Sequence, residues 1–130
     1  MTYGMLTLAA LGVAMIAAPA LADQASEPAR AAAGEVLFTH HCAACHSKDT
    51  SQNAFGPQLH GVIGREAGTV PRFDYSDALK ESGIVWDEDT LRAWMSDNDG
   101  LVPGTRMRHV AITDPAEQDF ILAYIRSLGS

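Results

Sequence analysis

Two cysteines and a histidine stand together in the run Cys42-Ala43-Ala44-Cys45-His46. Thiols and imidazole bind metals, and thiols also form disulfide or thioether bonds. The C-x-x-C-H spacing is the attachment signature of a covalent heme. In such a site both thiols bond to the vinyl groups at the porphyrin edge, and the histidine places a nitrogen on the iron. The spacing therefore predicts one heme c, attached through Cys42 and Cys45, with His46 as an iron ligand.

Three other uses of the cysteine pair compete with this interpretation. A thioredoxin-like redox pair needs a βαβ context that the sequence lacks, and it leaves His46 unexplained. A zinc site needs a second pair of ligands, and none stands at the usual spacing. A plain disulfide is an option in an exported protein. The adjoining histidine, the helical pattern and the export signal described below together favour heme attachment.

Iron in a porphyrin has a second axial position, for which the sequence offers two methionines beyond residue 22. Met95 lies on a predicted helix beside Trp94, where a role in the core is expected. Met107 ends a segment that begins at Val102, and the Pro and Gly of this segment can hold an extended backbone against a flat ligand. Met107 is therefore the preferred sixth ligand.

Four histidines are rival ligands: His40, His41, His60 and His109. The first two directly precede Cys42 on the side of His46, which excludes them on geometric grounds. The other two remain candidates, although such histidines are more often surface or loop residues.

The length and composition of the chain restrict its class. With 130 residues, of which 47% are hydrophobic and 19% charged, it fits a single globular domain and is not a disordered or collagen-like chain. Sixteen acidic and nine basic side chains give a net charge of −7. Nucleic-acid binding requires a basic face, so no nucleic-acid partner is expected.

The first 22 residues contain no Asp, Glu, Lys or Arg. An apolar run from Leu6 to Ala18 is followed by Ala20 and Ala22, the A-x-A pattern of a signal-peptidase site. We therefore expect a signal peptide at 1–22 that is cleaved after Ala22, a loose arm at 23–28 and one domain at 29–130, exported to the periplasm. An uncleaved membrane anchor is the alternative, since a stretch of this length could just span a bilayer.

Hydrophobic spacing and capping residues predict an all-α fold. A helix is expected from about residue 29 to 39, directly before the cysteines, and a short helix from Asp74 to Gly83. A third helix begins at Asp87 and ends by 97–100, and a last one runs from Asp114 to Leu128. No convincing alternating strand pattern occurs in the sequence.

The segment from Ser47 to Pro71 runs for 25 residues without a regular pattern. Such a long loop is uncommon in a compact domain unless it is functional, and four modest helices give a thin core. Both features are explained if three main helices, short helices and long loops wrap around one large covalent cofactor.

The chain beyond residue 22 resembles the class I cytochromes c, most closely the branch of cytochrome c2 and mitochondrial cytochrome c. The resemblance covers residues 34–128. Its motifs are the C-x-x-C-H run, Gly34-Glu35-Val36-Leu37-Phe38, Gly56-Pro57-Gln58-Leu59-His60-Gly61 and Pro103-Gly104-Thr105-Arg106-Met107. It implies the class I cytochrome c fold, in which Gly34 and Phe38 pack against Ile121 and Tyr124 of the last helix.

The resemblance also implies roles around the heme. The carbonyl of Pro57 is expected to accept the ring N–H of His46, a contact that fixes the tautomer of an iron ligand. Three side chains match the family's donors to the heme propionates: Arg65, Tyr75 and Trp86.

On the face of the porphyrin opposite His46, the resemblance implies that Met107 is the sixth ligand and that Thr105, on the same loop, lies at the cofactor. Trp94 stands where the mitochondrial proteins have a Tyr near the methionine sulfur, and Leu79 replaces an Asn there. These two departures affect the polar network that the family has near the iron.

A histidine and a methionine on the iron leave no open site for a substrate, so we expect an electron carrier and not an enzyme. The expected function is a soluble periplasmic one-electron shuttle between respiratory or photosynthetic redox complexes. A membrane cytochrome complex would be the donor, and an oxidase, reaction centre or reductase the acceptor. The carrier is expected to be a monomer that touches the membrane surface only transiently.

Two other functions fit the same residues. The protein could be the dedicated electron-accepting subunit of a periplasmic dehydrogenase. It could instead be a heme peroxidase or gas-binding protein, which requires Met107 to be off the iron.

The expected partner surface follows from the charges. Mitochondrial relatives carry lysines around the heme edge, whereas here Lys48 and Arg106 are the remaining basic residues at comparable places. The acidic net charge therefore predicts a partner with a basic or neutral docking patch.

Overall fold

The computed structural model describes residues 26–49, 51–108 and 111–129. This part of the chain has five helices: α1 Glu27–His41, α2 Asp77–Lys80, α3 Glu88–Ser96, α4 Asn98–Leu101 and α5 Pro115–Ser127. Its only β pairing is a single bridge between Glu66 and Val85. The predicted all-α fold with three main helices, α1, α3 and α5, is confirmed. The signal peptide expected at 1–22 lies outside the described residues.

Helix α1 is longer at both ends than the sequence pattern predicted. It begins at Glu27, inside the segment expected to be a loose arm, and has a proline, Pro28, in its first turn. Proline suits this turn because its missing N–H has no acceptor there, and an acidic residue suits the helix dipole. At the other end the helix reaches His41, so Cys42 follows at once and donates its backbone N–H to the Phe38 carbonyl over 2.8 Å.

Capping residues start α3 and α5 where the sequence predicted. The Asp87 carboxylate accepts the backbone N–H of Thr90, and the Thr90 hydroxyl accepts the backbone N–H of Asp87 in return. The Asp114 carboxylate accepts the backbone N–H groups of Ala116 and Glu117. Each cap satisfies donors that the first helical turn leaves without a partner.

The two short helices differ from the prediction. Helix α2 begins at Asp77, because the Ser76 hydroxyl accepts the N–H of Leu79 and so sets the start three residues after Asp74. Helix α4 lies where only the end of α3 was expected. There the Asp97 carboxylate accepts the N–H of Gly100 and begins a further helical turn.

Helices α1 and α5 cross in close contact at Gly34. A methyl group on this residue would lie 1.9 Å from the carbonyl oxygen of Phe120, so only glycine allows the approach. One turn further along, Phe38 is fully buried and its ring centroid lies 5.1 Å from that of Tyr124. This crossing fixes the end of α1, and therefore the position of the cysteines that follow it.

Six charged side chains form a closed ring of alternating sign that links α1, α3 and α5. Going round the ring, its members are Glu27, Arg30, Asp119, Arg92, Glu88 and Arg126. The ion-pair distances run from 2.5 Å to 4.0 Å. Partly exposed ion pairs contribute little individually, so we assign the ring a modest role in aligning the three helices.

The core lies between α5, α3 and the loops. Its largest fully buried side chains are Phe38, Ile121 and Leu122. Around them the other buried hydrophobic residues pack into one cluster, and several of its members also line a central cavity, among them Val62, Leu91 and Ile112. In the part of the chain that the structure describes, no helix has the length and apolarity to cross a bilayer.

Candidate heme site

A cavity of about 1290 Å³ opens between the end of α1, helix α3 and the loops. Pockets for drug-sized molecules usually measure about 300–1,000 Å³, so this cavity suits a larger group. All ten residues predicted for the site line it: Cys42, Cys45, His46, Pro57, Arg65, Tyr75, Trp86, Trp94, Thr105 and Met107. The loop at 47–71 supplies part of the wall, which accounts for its length.

The thiols of Cys42 and Cys45 line the cavity directly after α1. Backbone hydrogen bonds from Cys45 and His46 to the Cys42 carbonyl, at 3.0 and 2.9 Å, form the turn that holds the pair. The two cysteines form no disulfide with each other. Burial, together with the neighbouring Cys45, raises the pKa of the Cys42 thiol to about 11, so this thiol is protonated at neutral pH. Within the described residues no group of three or more His, Cys, Asp or Glu is placed to hold a metal ion.

The ring of His46 is held from one side by the loop that contains Gly56 and Pro57. Its Nδ1 donates to the Pro57 carbonyl over 2.7 Å, and the side chain is 7% exposed. Gly56 donates its backbone N–H to the Cys45 carbonyl over 2.7 Å, and a methyl group on Gly56 would lie 2.8 Å from the imidazole carbon Cε1. The contact with Pro57 makes Nε2 the ring nitrogen that carries the lone pair, the form that binds iron.

The sulfur of Met107 is held by a hydrogen bond from α3. The indole N–H of Trp94 donates to Sδ over 3.0 Å. The backbone of Met107 is fixed separately, since the Asn98 amide donates to its carbonyl over 2.6 Å and its own N–H donates to the Thr105 hydroxyl over 3.4 Å. The structure therefore places the thioether of Met107 at the cavity wall. Hydrogen bonds hold both the sulfur and the backbone of this residue.

Two of the predicted propionate donors carry a charge or a hydroxyl group at the cavity wall. The Arg65 guanidinium donates to the carbonyls of His60 and Gln58, at 2.8 and 3.2 Å. Burial lowers the pKa of Arg65, which still leaves it charged, and burial raises the pKa of Tyr75, so its hydroxyl stays protonated. These two residues offer a cation and a hydrogen-bond donor on the same side of the cavity.

The indole of Trp86 carries a buried donor that no described residue satisfies. Trp86 is 7% exposed and packs edge-on against Trp94, with ring centroids 5.2 Å apart. Among the residues that the structure describes, none accepts a hydrogen bond from its Nε1. A buried donor without an acceptor costs about 1–3 kcal/mol, so an acceptor belonging to a bound group fits here. A heme propionate supplies such an acceptor, and the residues of the cavity therefore fit a heme.

Comparison with known proteins also supports a heme in this cavity. The family model "Cytochrome c" matches residues 31–129. The chain belongs to the cytochrome c family. It is 42% identical over 98 residues to "Cytochrome c2" of Rhodoplanes tepidamans, covering 75% of this chain and 91% of that protein. It is 36% identical over 131 residues to "Cytochrome c2" of Blastochloris viridis, covering 100% of this chain and 94% of that protein.

A solved structure agrees with the fold. Cytochrome cH from Methylobacterium extorquens superposes with a TM-score of 0.70 at 44% identity, covering 75% of this chain and 97% of the other. This protein is thus a class I cytochrome c of the c2 branch, with one covalent heme c and a role in electron transport. The predictions of family, fold class and cofactor are confirmed.

Among the rival ligands that the structure describes in this cytochrome c, His60 does not line the cavity. His60 is exposed and its Nδ1 is hydrogen-bonded with the Leu128 carbonyl. His40 and His41 line the cavity next to the cysteines, and His109 lies outside the described residues. Met95 also lines the cavity, but it is buried in the core as expected, and its backbone carbonyl accepts the N–H of Ile112.

Among the residues at the site that the sequence pattern missed are Asn98 and Phe55. Asn98 contacts Met107, but it stands in the run Asp97-Asn98-Asp99-Gly100, which is typical of a helix end and gives no sign of a buried amide. Phe55 lines the cavity and is 85% exposed, and no periodic pattern distinguishes it within the long loop.

Proposed function

We propose that this cytochrome c is a periplasmic one-electron carrier whose heme iron is ligated by His46 and Met107. The observation that supports the proposal most strongly is that the imidazole and the thioether line the same cavity, and each is fixed by its own hydrogen bond. When bound, the heme supplies a one-electron couple between ferric and ferrous iron.

On the proximal side, we assign Cys42 and Cys45 to covalent attachment and His46 to the fifth iron position. Donation from Nδ1 to the Pro57 carbonyl fixes the orientation of the imidazole and raises the basicity of Nε2. Gly56 contributes by leaving room for the ring. These residues hold one ligand in place in both oxidation states.

On the distal side, Met107 offers a soft sulfur ligand, which favours the reduced iron and raises the reduction potential. The N–H of Trp94 limits rotation of the thioether about its terminal bonds. With His46 and Met107 as its two ligands from the protein, the heme iron would have no open position for a substrate. This arrangement supports a carrier and not an enzyme.

Around the cofactor edge, we assign Arg65, Tyr75 and Trp86 to the heme propionates. The guanidinium of Arg65 would offset their negative charge, and the Trp86 N–H would gain an acceptor that none of the described residues provides. Hydrogen bonds from these three side chains would favour the ionised form of the propionate carboxylates.

Export to the periplasm is proposed from the apolar segment 1–22 and from the bacterial c2 relatives. Cleavage after Ala22 predicts a mature protein whose first residue is Asp23. Its redox partners would be a membrane cytochrome complex as donor and an oxidase, reaction centre or reductase as acceptor. Mass spectrometry of the mature protein from the periplasmic fraction tests this proposal, and an intact first segment in the membrane fraction would instead support an anchor.

The optical spectrum tests the axial ligands. We expect the oxidised protein to show the far-red absorption band of a methionine–ferric bond, and Met107→Ala to abolish it. Met95→Leu is the matched control, since Met95 lines the same cavity, and this variant should keep the band. A wild-type spectrum without the band would favour a peroxidase or gas-binding protein.

A further inference from the structure

Asn98 is one of four polar residues that are buried in the described part of the chain, and it is 7% exposed. It begins α4, and its backbone carbonyl accepts the N–H of Val102 over 2.9 Å. Its side-chain Nδ2 lies 2.6 Å from the carbonyl oxygen of Met107. A buried amide is costly unless it is hydrogen-bonded, so the contact with the Met107 carbonyl compensates for the burial of this side chain.

The backbone of Met107 has little other support. It belongs to an irregular loop, and no other described residue donates a hydrogen bond to its carbonyl oxygen. The bond from its own N–H to the Thr105 hydroxyl is long, at 3.4 Å, and spans only two residues. The Asn98 amide is therefore the contact that ties the Met107 backbone to the helical frame.

We propose that Asn98 is a positioning residue, which holds Met107 so that the thioether is retained against exchange for an external ligand. The proposal rests on the assignment of Met107 to the iron. The amide fixes the main chain, and the indole N–H of Trp94 fixes the sulfur, so two side chains from neighbouring helices hold the residue at both ends. Without the amide, the main chain at Met107 gains freedom and the sulfur spends more time away from its position.

The test is a titration of the ferric holo-protein with imidazole, followed by absorption. Imidazole competes with the thioether, so weaker retention of Met107 increases its apparent affinity. One lost hydrogen bond predicts an increase of about three- to tenfold for Asn98→Ala. Asn98→Leu keeps the approximate size of the side chain but has no hydrogen-bond donor, so it should increase the affinity at least as much.

A remote core variant separates positioning from general loss of stability. Leu122 is fully buried and does not line the cavity, so Leu122→Val loosens the fold without touching the site. It should leave the imidazole affinity within twofold of the wild type, even at a melting temperature as low as that of Asn98→Ala. Because the heme is covalent, the titration reads assembled molecules of every variant.

Two results would overturn the proposal. One is an imidazole affinity that is unchanged in both Asn98 variants, and the other is an increase in Leu122→Val equal to theirs. Failure of the underlying ligand assignment is distinguishable, since the wild-type protein would then lack the far-red band before any imidazole is added.

Discussion

The indole N–H of Trp94 donates to the sulfur of Met107 across 3.0 Å. The donor lies in the last turn of α3, at a buried position, whereas the acceptor lies on the irregular loop beyond α4. Because the sulfur is also the proposed iron ligand, this hydrogen bond acts on the cofactor through the protein's own side chain. It withdraws electron density from the thioether, which makes the sulfur a weaker donor to ferric iron.

Trp94→Phe should therefore lower the reduction potential. The variant keeps an aromatic ring at a buried position but removes the N–H, so the ferric state is relatively stabilised. A difference of about 0.5–1 kcal/mol in the strength of this hydrogen bond between the two oxidation states corresponds to about 20–40 mV for one electron. Spectroelectrochemical titration of the purified holo-protein measures this shift.

Leu91→Val serves as the control for the potential. Leu91 is buried on the same helix and lines the same cavity, but its side chain has no polar group. Its potential should stay close to that of the wild type. An unchanged or higher potential in Trp94→Phe would show that the indole N–H does not tune the sulfur.

The parts of this site that the sequence predicts are those fixed by local chemistry. The C-x-x-C-H run defines its own geometry, since Cys42 to His46 form a single turn. The caps at Asp87 and Asp114 likewise act within three residues of themselves. Such features are independent of distant packing, which is why the starts of α3 and α5 and the attachment site agree with the prediction.

The parts that the sequence does not predict depend on tertiary contacts. Asn98 becomes a site residue only because the loop that follows α4 brings Met107 within reach of its amide. The hydrogen bonds from Arg65 to the carbonyls of Gln58 and His60 similarly require the folded loop. Residue types at these positions are equally compatible with solvent exposure, so no local pattern identifies them.

Gly34→Ala tests the crossing of α1 and α5. In an unobstructed helix this change stabilises a protein by up to about 1 kcal/mol, because alanine is the better helix former. Here the new methyl group would lie 1.9 Å from the Phe120 carbonyl, so the helices must separate. We expect a net loss of about 1–3 kcal/mol, as for other overpacked sites, measured by denaturant unfolding of the holo-protein.

The sign of the change in stability distinguishes a helix that is unobstructed at residue 34 from one that is packed against α5 there. Ala33→Gly is the control on the neighbouring exposed position of α1, where only helix propensity acts, and it should cost about 1 kcal/mol. A Gly34→Ala protein that is more stable than the wild type would mean that the two helices are not in contact at this residue.

The charges around the cavity predict how ionic strength affects electron exchange. The two basic residues at places comparable to the family's docking lysines are already paired, Lys48 with Glu35 at 2.8 Å and Arg106 with Asp74 at 3.1 Å. The net charge of −7 is then the main long-range force on a partner. Raising the salt concentration should therefore slow electron exchange with a basic redox protein, because the attraction is screened within about 10 Å at 0.1 M.

A matched pair of small oxidants separates this long-range effect from specific docking. With a cationic metal complex the bimolecular rate measured by stopped flow should fall as salt is added, and with an anionic complex of similar size it should rise. Arg106→Gln leaves Asp74 unpaired beside the cavity. The rate should therefore fall more steeply with salt for the cationic complex and rise more steeply for the anionic complex. A rate with the cationic oxidant that rises with salt would show that a local positive patch, and not the net charge, governs the approach of partners.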